Sequence, residues 1–169
     1  MRALDPFVSE LENEAQTTMR VLERVPEGKL GWKPHEKSMT LGQLAMHVAE
    51  TPGQLAQMVA GPTFDINPEM MKGPQTPKTH AEIVGAFKQS MATARETLNK
   101  IDDAAVMANW KLTMEGKELM TMPRIAFIRS IMLNHWYHHR GQLSVYLRLL
   151  NVPVPSIYGP SADENPFAK

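Results

Sequence analysis

Apolar residues recur at helical spacing in four stretches of this 169-residue chain, and proline and glycine break the segments between them. Phe7, Leu11, Thr18, Leu22 and Val25 mark one mostly apolar face. They predict a first helix N-capped by Asp5, with Pro6 at its first position and Pro26-Glu27-Gly28 as its stop. Thr40 followed by Gln43 has the spacing of a capping box and opens a second helix, whose core face is Leu41, Leu44, Val48, Leu55 and Val59. Pro52-Gly53 falls inside that pattern. Proline there removes the hydrogen bond to the Val48 carbonyl, so a kink or a break into two segments is expected. Thr79 and Glu82 form a second capping-box pair, ahead of Val84, Phe87, Met91, Leu98 and Ile101 on a third helix. A fourth helix is predicted from about Thr121–Pro123 to Leu150, stopped by Asn151 and the prolines after it.

The connections differ in character. The loop through Gly31-Trp32-Lys33-Pro34-His35 is irregular and partly apolar, so it is expected to pack on the helices. Residues 61–77 hold four prolines and two glycines without sustained periodicity, and read as a long connection. The segment Ala108–Leu119 has the pattern of a small hairpin turning at Glu115-Gly116. No internal repeat, low-complexity tract or linker divides residues 1–169, which read as a single domain. Four amphipathic helices joined by short and long connections predict an all-α fold, a four-helix bundle with a long crossover connection.

Charge and composition narrow the function. Eighteen basic and eighteen acidic residues cancel, so the chain has no electrostatic reason to seek nucleic acid or an anionic membrane. No apolar run approaches the roughly 18 residues that span a bilayer. The opening Met1-Arg2-Ala3-Leu4-Asp5-Pro6 lacks the apolar core and cleavage site of a signal peptide, so a cytoplasmic protein is expected. Cysteine is absent, which excludes disulfides, thiolate ligands and cysteine nucleophiles. Any metal must be held by nitrogen and oxygen.

The chemistry concentrates in His135-Trp136-Tyr137-His138-His139. Ile125, Ile128 and Met132, then Gln142, Tyr146 and Leu149, form a stripe whose gap is filled by His135 and His139. Two imidazoles at i and i+4, facing a bundle interior, are a helical way to hold a transition metal. A third ligand must come from another helix, and His47, near the core face of the second, is the best placed. His138 is turned roughly 100° aside and cannot easily share that metal. His35 and His80 read as ordinary hydrogen-bonded polar residues. Three neutral imidazoles leave a coordination position open for water or substrate, the mark of a reactive centre. Trp136 stands where a zinc protease of the HExxH type has its glutamate, so that base is missing. Glu50, one turn beyond His47, is a candidate base or orienting group, with a solvated surface charge as the simpler reading. Gln142 is a candidate partner for a ligand histidine. Gly141 hints at a close approach of neighbouring backbone. Arg140 and Arg148 read as solvated arginines, and the thirteen methionines as core filler.

These residues resemble the DinB/YfiT-like superfamily of metal-dependent four-helix bundles. The resemblance spans nearly the whole chain. It is carried by His135 through Leu143, by Tyr146-Leu147-Arg148, by the tail from Val152 to Ser161, and by Thr40 through Ala49. It implies three histidine ligands to a divalent metal, which fall on His47, His135 and His139, with zinc or nickel as first candidates. His138 matches no ligand position. Relatives of this kind include metal-dependent thiol transferases and a thiol-dependent isomerase, and others are described as hydrolases or damage-inducible proteins. The resemblance therefore implies fold and metal site more narrowly than reaction. Two functions follow. One is a metal-dependent enzyme of the thiol-transferase or hydrolase type, acting on a small molecule, possibly with a low-molecular-weight thiol. The other is a non-catalytic, stress-related bundle that binds metal or ligand. Homodimers are common in the superfamily, so a homodimer is expected.

Overall fold

The computed structural model describes residues 1–168, the side chains of Met71 and Lys72 excepted. Its long helices are α1 (Asp5–Leu22), α2 (Leu41–Met58), α3 (His80–Asn99) and a last one built in three parts. That last helix comprises α5 (Arg124–Phe127), a π-helical stretch (Ile128–Leu133) and α6 (Asn134–Leu149). A short α4 (Asp103–Met107) precedes the sheet, and Asp102 caps it by accepting a hydrogen bond from the Ala105 amide.

The all-α expectation is wrong. β1 (Thr63–Ile66), β2 (Asn109–Met114) and β3 (Lys117–Pro123) form a mixed three-stranded sheet in the order β1-β2-β3. The hairpin is the one expected: Glu115 and Gly116 both take positive φ, 50° and 76°, as a two-residue turn between twisted strands requires. The missed element is β1, which pairs in parallel with β2 inside the stretch read as structureless. Its alternation, Thr63-Phe64-Asp65-Ile66, is four residues long and hidden among prolines. Trp110 of β2 is buried, packs its ring on Phe127 and donates Nε1–H to the Met58 carbonyl at 2.9 Å, which ties the sheet to the end of α2. Thr121–Pro123 belong to β3, so the last helix begins at Arg124, later than expected.

Helix packing sets where any site can form. α2 packs chiefly against α3 and α6, and α1 chiefly against the same two helices from the other side. Successive helices α1 and α2 are therefore diagonal. The crossovers are residues 23–40 and the sheet-bearing segment after α3, whereas residues 59–79 join neighbours. The first of these does pack on the bundle, with Leu30 buried and Trp32 edge-on to Tyr146 at 5.6 Å.

The caps match expectation in part. Thr40 and Gln43 exchange both hydrogen bonds of the capping box. Thr79 accepts from Glu82 N, but the Glu82 carboxylate reaches one residue further back, to Lys78 N. Asp5 is not the cap of α1. Leu4 holds that position, and Asp5, inside the first turn, accepts from the amide and the side chain of Arg2.

Pro52 neither ends α2 nor divides it. The Val48 carbonyl, deprived of its helical donor, instead accepts Nε1–H of the buried Trp136 at 2.9 Å. One residue on, Gly53 N donates to Ser90 Oγ at 2.8 Å, and that hydroxyl donates to the Glu50 carbonyl at 3.0 Å. A Cβ at position 53 would stand 2.9 Å from the Ser90 backbone, so glycine there permits the close contact of α2 with α3. The break in α2 is thus filled by polar atoms of α3 and α6.

Candidate metal centre

The π-helical stretch decides which face of the last helix is buried. Its extra residue per turn shifts the phase of everything after it. Ile128 and Met132 are buried before or within it, but in α6 the buried positions are Trp136, Arg140, Leu143 and Leu147. These lie one residue along from the stripe expected at 135, 139, 142, 146 and 149. His135 and His139 consequently sit half-buried at the edge of the α2–α6 seam rather than in the bundle interior. Gln142 and Leu149 are exposed.

At that edge three histidines meet. His47 projects from α2 between Val48 and the Thr40 end, and His135 and His139 from successive turns of α6. One ring nitrogen from each lies within 4.8 Å of the others. His47 Nε2 and His135 Nε2 are 2.9 Å apart, and the ring centroids are separated by 5.1, 4.4 and 4.4 Å. The seam is fixed immediately beside them, because the residue after His47 and the residue after His135 form the Val48–Trp136 hydrogen bond.

The electrostatics favour neutral rings with free lone pairs. Burial, followed by the neighbouring His139 and His135, lowers the His47 pKa to about 4. Burial also lowers His135, with His138 adding to it. For His139 burial again lowers the value, partly opposed by its bond to Gln142. Gln142 Oε1 lies 2.7 Å from His139 Nδ1. As an acceptor it holds the proton on Nδ1 and leaves the Nε2 lone pair available. Two unprotonated nitrogens 2.9 Å apart repel unless a proton or a cation lies between or beside them. Three uncharged imidazoles, one already oriented, fit a divalent metal of the borderline kind.

The surroundings place the remaining candidates. His138 packs beside His139, with ring centroids 4.9 Å apart, but is exposed and outside the cluster. His80 donates its amide to Glu27, and its Nε2 lies 2.9 Å from the Leu22 carbonyl. His35 makes a turn contact to the Lys37 amide and is exposed. Glu50 is half-buried one turn beyond His47, and burial raises its pKa although Gln54 donates to its carboxylate. Both Glu50 and His47 line a cavity of about 400 Å³, closed on its far side by Glu69, Met70, Gly73 and Pro74. Nothing within 4 Å would meet a Cβ at Gly141, so no close backbone approach explains it.

Arg140 is the residue the sequence reading misplaced most. It is 1% exposed, ion-paired to Glu14 at 2.6 Å, and bonded to Thr18 Oγ1 at 3.0 Å and Tyr158 Oη at 2.5 Å. The rings of Tyr137 and Tyr158 flank its guanidinium at 5.3 and 5.1 Å. Tyr137 in turn donates to Glu10 at 2.9 Å. This network binds the C-terminal tail to α1 and α6. Arg148 is exposed and pairs with Asp163 of the same tail.

The comparisons with known proteins agree with this architecture. A profile of the DinB family matches residues 1–166, and the chain belongs to that family. The protein YrdA of Bacillus subtilis strain 168 is 25% identical, over 96% of this chain and 92% of its own. Two solved structures share the fold. A DinB-like protein from Bacillus cereus ATCC 10987 superposes with a TM-score of 0.70 at 22% identity, covering 90% of this chain and 95% of that one. The DinB-like protein YjoA from Bacillus subtilis gives 0.67 at 18% identity, covering 87% and 93%.

Proposed function

We propose that this chain is a metal-dependent enzyme of the thiol-transferase or hydrolase type, acting on a small molecule. The observation that carries the reading is the convergence of three neutral imidazoles, from two helices, at the wall of an open cavity. His47, His135 and His139 are the proposed ligands, with zinc or nickel as the ion. A bound divalent ion supplies Lewis acidity, which lowers the pKa of a coordinated water or thiol toward neutrality.

The chain's own residues do the rest. Gln142 keeps His139 in the tautomer that presents Nε2. The Trp136–Val48 bond holds α6 against α2 in the register that brings His135 to His47. Glu50, with its carboxyl pKa raised by burial, is suited to take and hold a proton released into the cavity. The segment from Glu69 to Pro74 walls the cavity and limits access of bulk water. A homodimer acting in the cytoplasm is the proposed setting. Among the described residues no helix is long and apolar enough to cross a membrane.

Protein purified without a histidine tag is expected to carry close to one equivalent of a first-row divalent metal per chain. Less than about half an equivalent, with no rise in Tm on adding zinc or nickel, would count against the metal site. A panel of low-molecular-weight thiols against electrophilic substrates then tests the enzyme. Turnover should require the metal and vanish in His139→Ala. Turnover indifferent to both would refute the reading.

A further inference from the structure

The cavity at His47 does not end at its own walls. Gln54 and Met70, which line it, also line an adjoining trough of about 250 Å³ whose other walls are Leu55, Gln57, Met58, Phe64 and Ile66. The trough lies where β1 crosses α2. Phe64 and Ile66 are the two residues of β1 that turn toward the helix, yet they stay only half-buried. Leu55 and Met58 of α2 are likewise half-buried, and Met70 is 57% exposed at the junction of the two spaces. Five apolar side chains therefore line a groove that the fold leaves open, next to a polar cavity with imidazoles and a carboxyl group.

The two spaces together hold roughly 650 Å³, the size of an ordinary small-molecule site. Their polarity is divided. The His47 end offers ring nitrogens and the Glu50 carboxyl, whereas the β1 end offers little but aliphatic, thioether and phenyl surface, with the amides of Gln54 and Gln57 at its rim. A small polar molecule satisfies the first end and leaves the second wet.

Resting on the metal-centre reading above, we propose that the substrate class is amphiphilic. Its head, a thiol or another metal-binding group, lies against the three histidines, and its short hydrocarbon portion lies in the trough between α2 and β1. Phe64, Ile66, Leu55 and Met58 are then specificity-determining residues, and Met70 stands at the point where head and tail meet.

The test uses n-alkyl hydroxamic acids, from acetohydroxamic to octanohydroxamic acid, titrated calorimetrically into the zinc-loaded protein. Affinity is expected to rise about threefold to fourfold per methylene while the tail is entering the trough. The Phe64→Ser, Ile66→Thr double variant and the Met70→Glu variant should flatten that slope. Met70 is exposed, so its variant keeps the test valid if the strand substitutions disturb folding. A second arm needs no metal: the apolar fluorophore N-phenyl-1-naphthylamine should bind the metal-free protein, be displaced by octanol, and bind less well to both variants.

Acetohydroxamate binding without any chain-length dependence overturns the trough and leaves the metal centre standing. Failure of every hydroxamate, with the fluorophore still bound and sensitive to the variants, overturns the metal centre and with it the amphiphile. A dimer in sedimentation equilibrium that dissociates in the double variant, with no chain-length dependence, assigns the trough to a second copy of the chain and overturns the proposal.

Discussion

Replacing Trp136 by phenylalanine should show how the break in α2 is sealed. The indole N–H is the donor that the Val48 carbonyl receives in place of the one Pro52 lacks. Phenylalanine fills most of the same buried space but leaves that carbonyl without a side-chain donor. An orphaned buried acceptor costs about 1–3 kcal/mol, and the missing part of the larger ring adds on the order of 1 kcal/mol. For a chain of this length the sum corresponds to a fall in Tm on the order of 10 °C. The decisive measurement is a double-mutant cycle with Pro52→Ala. Alanine restores a backbone N–H one turn beyond Val48, so the carbonyl recovers a helical donor and the indole becomes partly redundant. Urea unfolding of the four proteins, in EDTA so that no metal contributes, should show Trp136→Phe costing about 1 kcal/mol less in the alanine background. The loss of unfolded-chain restriction caused by removing proline cancels in the cycle. An equal cost of Trp136→Phe in both backgrounds would refute the idea that the indole replaces the proline's missing donor.

Three other outcomes test the centre and the tail. His47 has a folded pKa of about 4, below the ordinary histidine value, so its contribution is present above about pH 6.5 and is lost as pH falls toward 4. Metal-free protein should lose up to about 3 kcal/mol over that window from this group; a urea-unfolding series at several pH values should show the loss reduced in His47→Gln, and an unchanged pH profile in that variant would contradict the assignment. Gln142→Ala should weaken zinc affinity about 10–100-fold, measured by competition with a chromophoric chelator, while the metal-free Tm barely moves because Gln142 is exposed; unchanged affinity would remove it from the site. Arg140→Met leaves Glu14 without its buried partner and should cost about 3–5 kcal/mol; limited proteolysis should then cut the tail beyond Val152 faster than in the native protein, and a protected tail would show that its other bonds suffice.

What could be read from sequence was what depends on local spacing. Thr40 with Gln43, the apolar face of α1, and the Glu115-Gly116 turn all announce themselves within a few residues. The bringing together of His47, His135 and His139 was legible too, because each sits in a periodic segment near its apolar face. β1 was not, because four residues in a proline-rich stretch acquire strand character only from a partner 48 residues away. Nor was the π-helical stretch, since Ile128–Leu133 has no residue type that marks it. That one omission explains two errors together. It placed His135 and His139 inside the bundle instead of at its edge, and it put Arg140 in solvent when the shifted phase buries it beside Glu14. A charge in a core has no sequence signature of its own; its counter-charge lies 126 residues away on another helix.

The π-helical stretch also means that the centre is specified by a count of residues as well as by their identities. Each residue added to or removed from a helix turns all that follows by roughly 100°. Deleting one position between Ile128 and Leu133 would leave every histidine, every core side chain and the net sequence of α6 intact, yet would carry His135 and His139 around the axis and away from His47. Point substitution therefore has no simple route to remove or create this arrangement, whereas a single-codon insertion or deletion has. Among relatives of this chain, helix length between the sheet and the histidine pair, rather than the presence of the histidines alone, is the trait that separates those able to form the cluster from those that merely contain its residues.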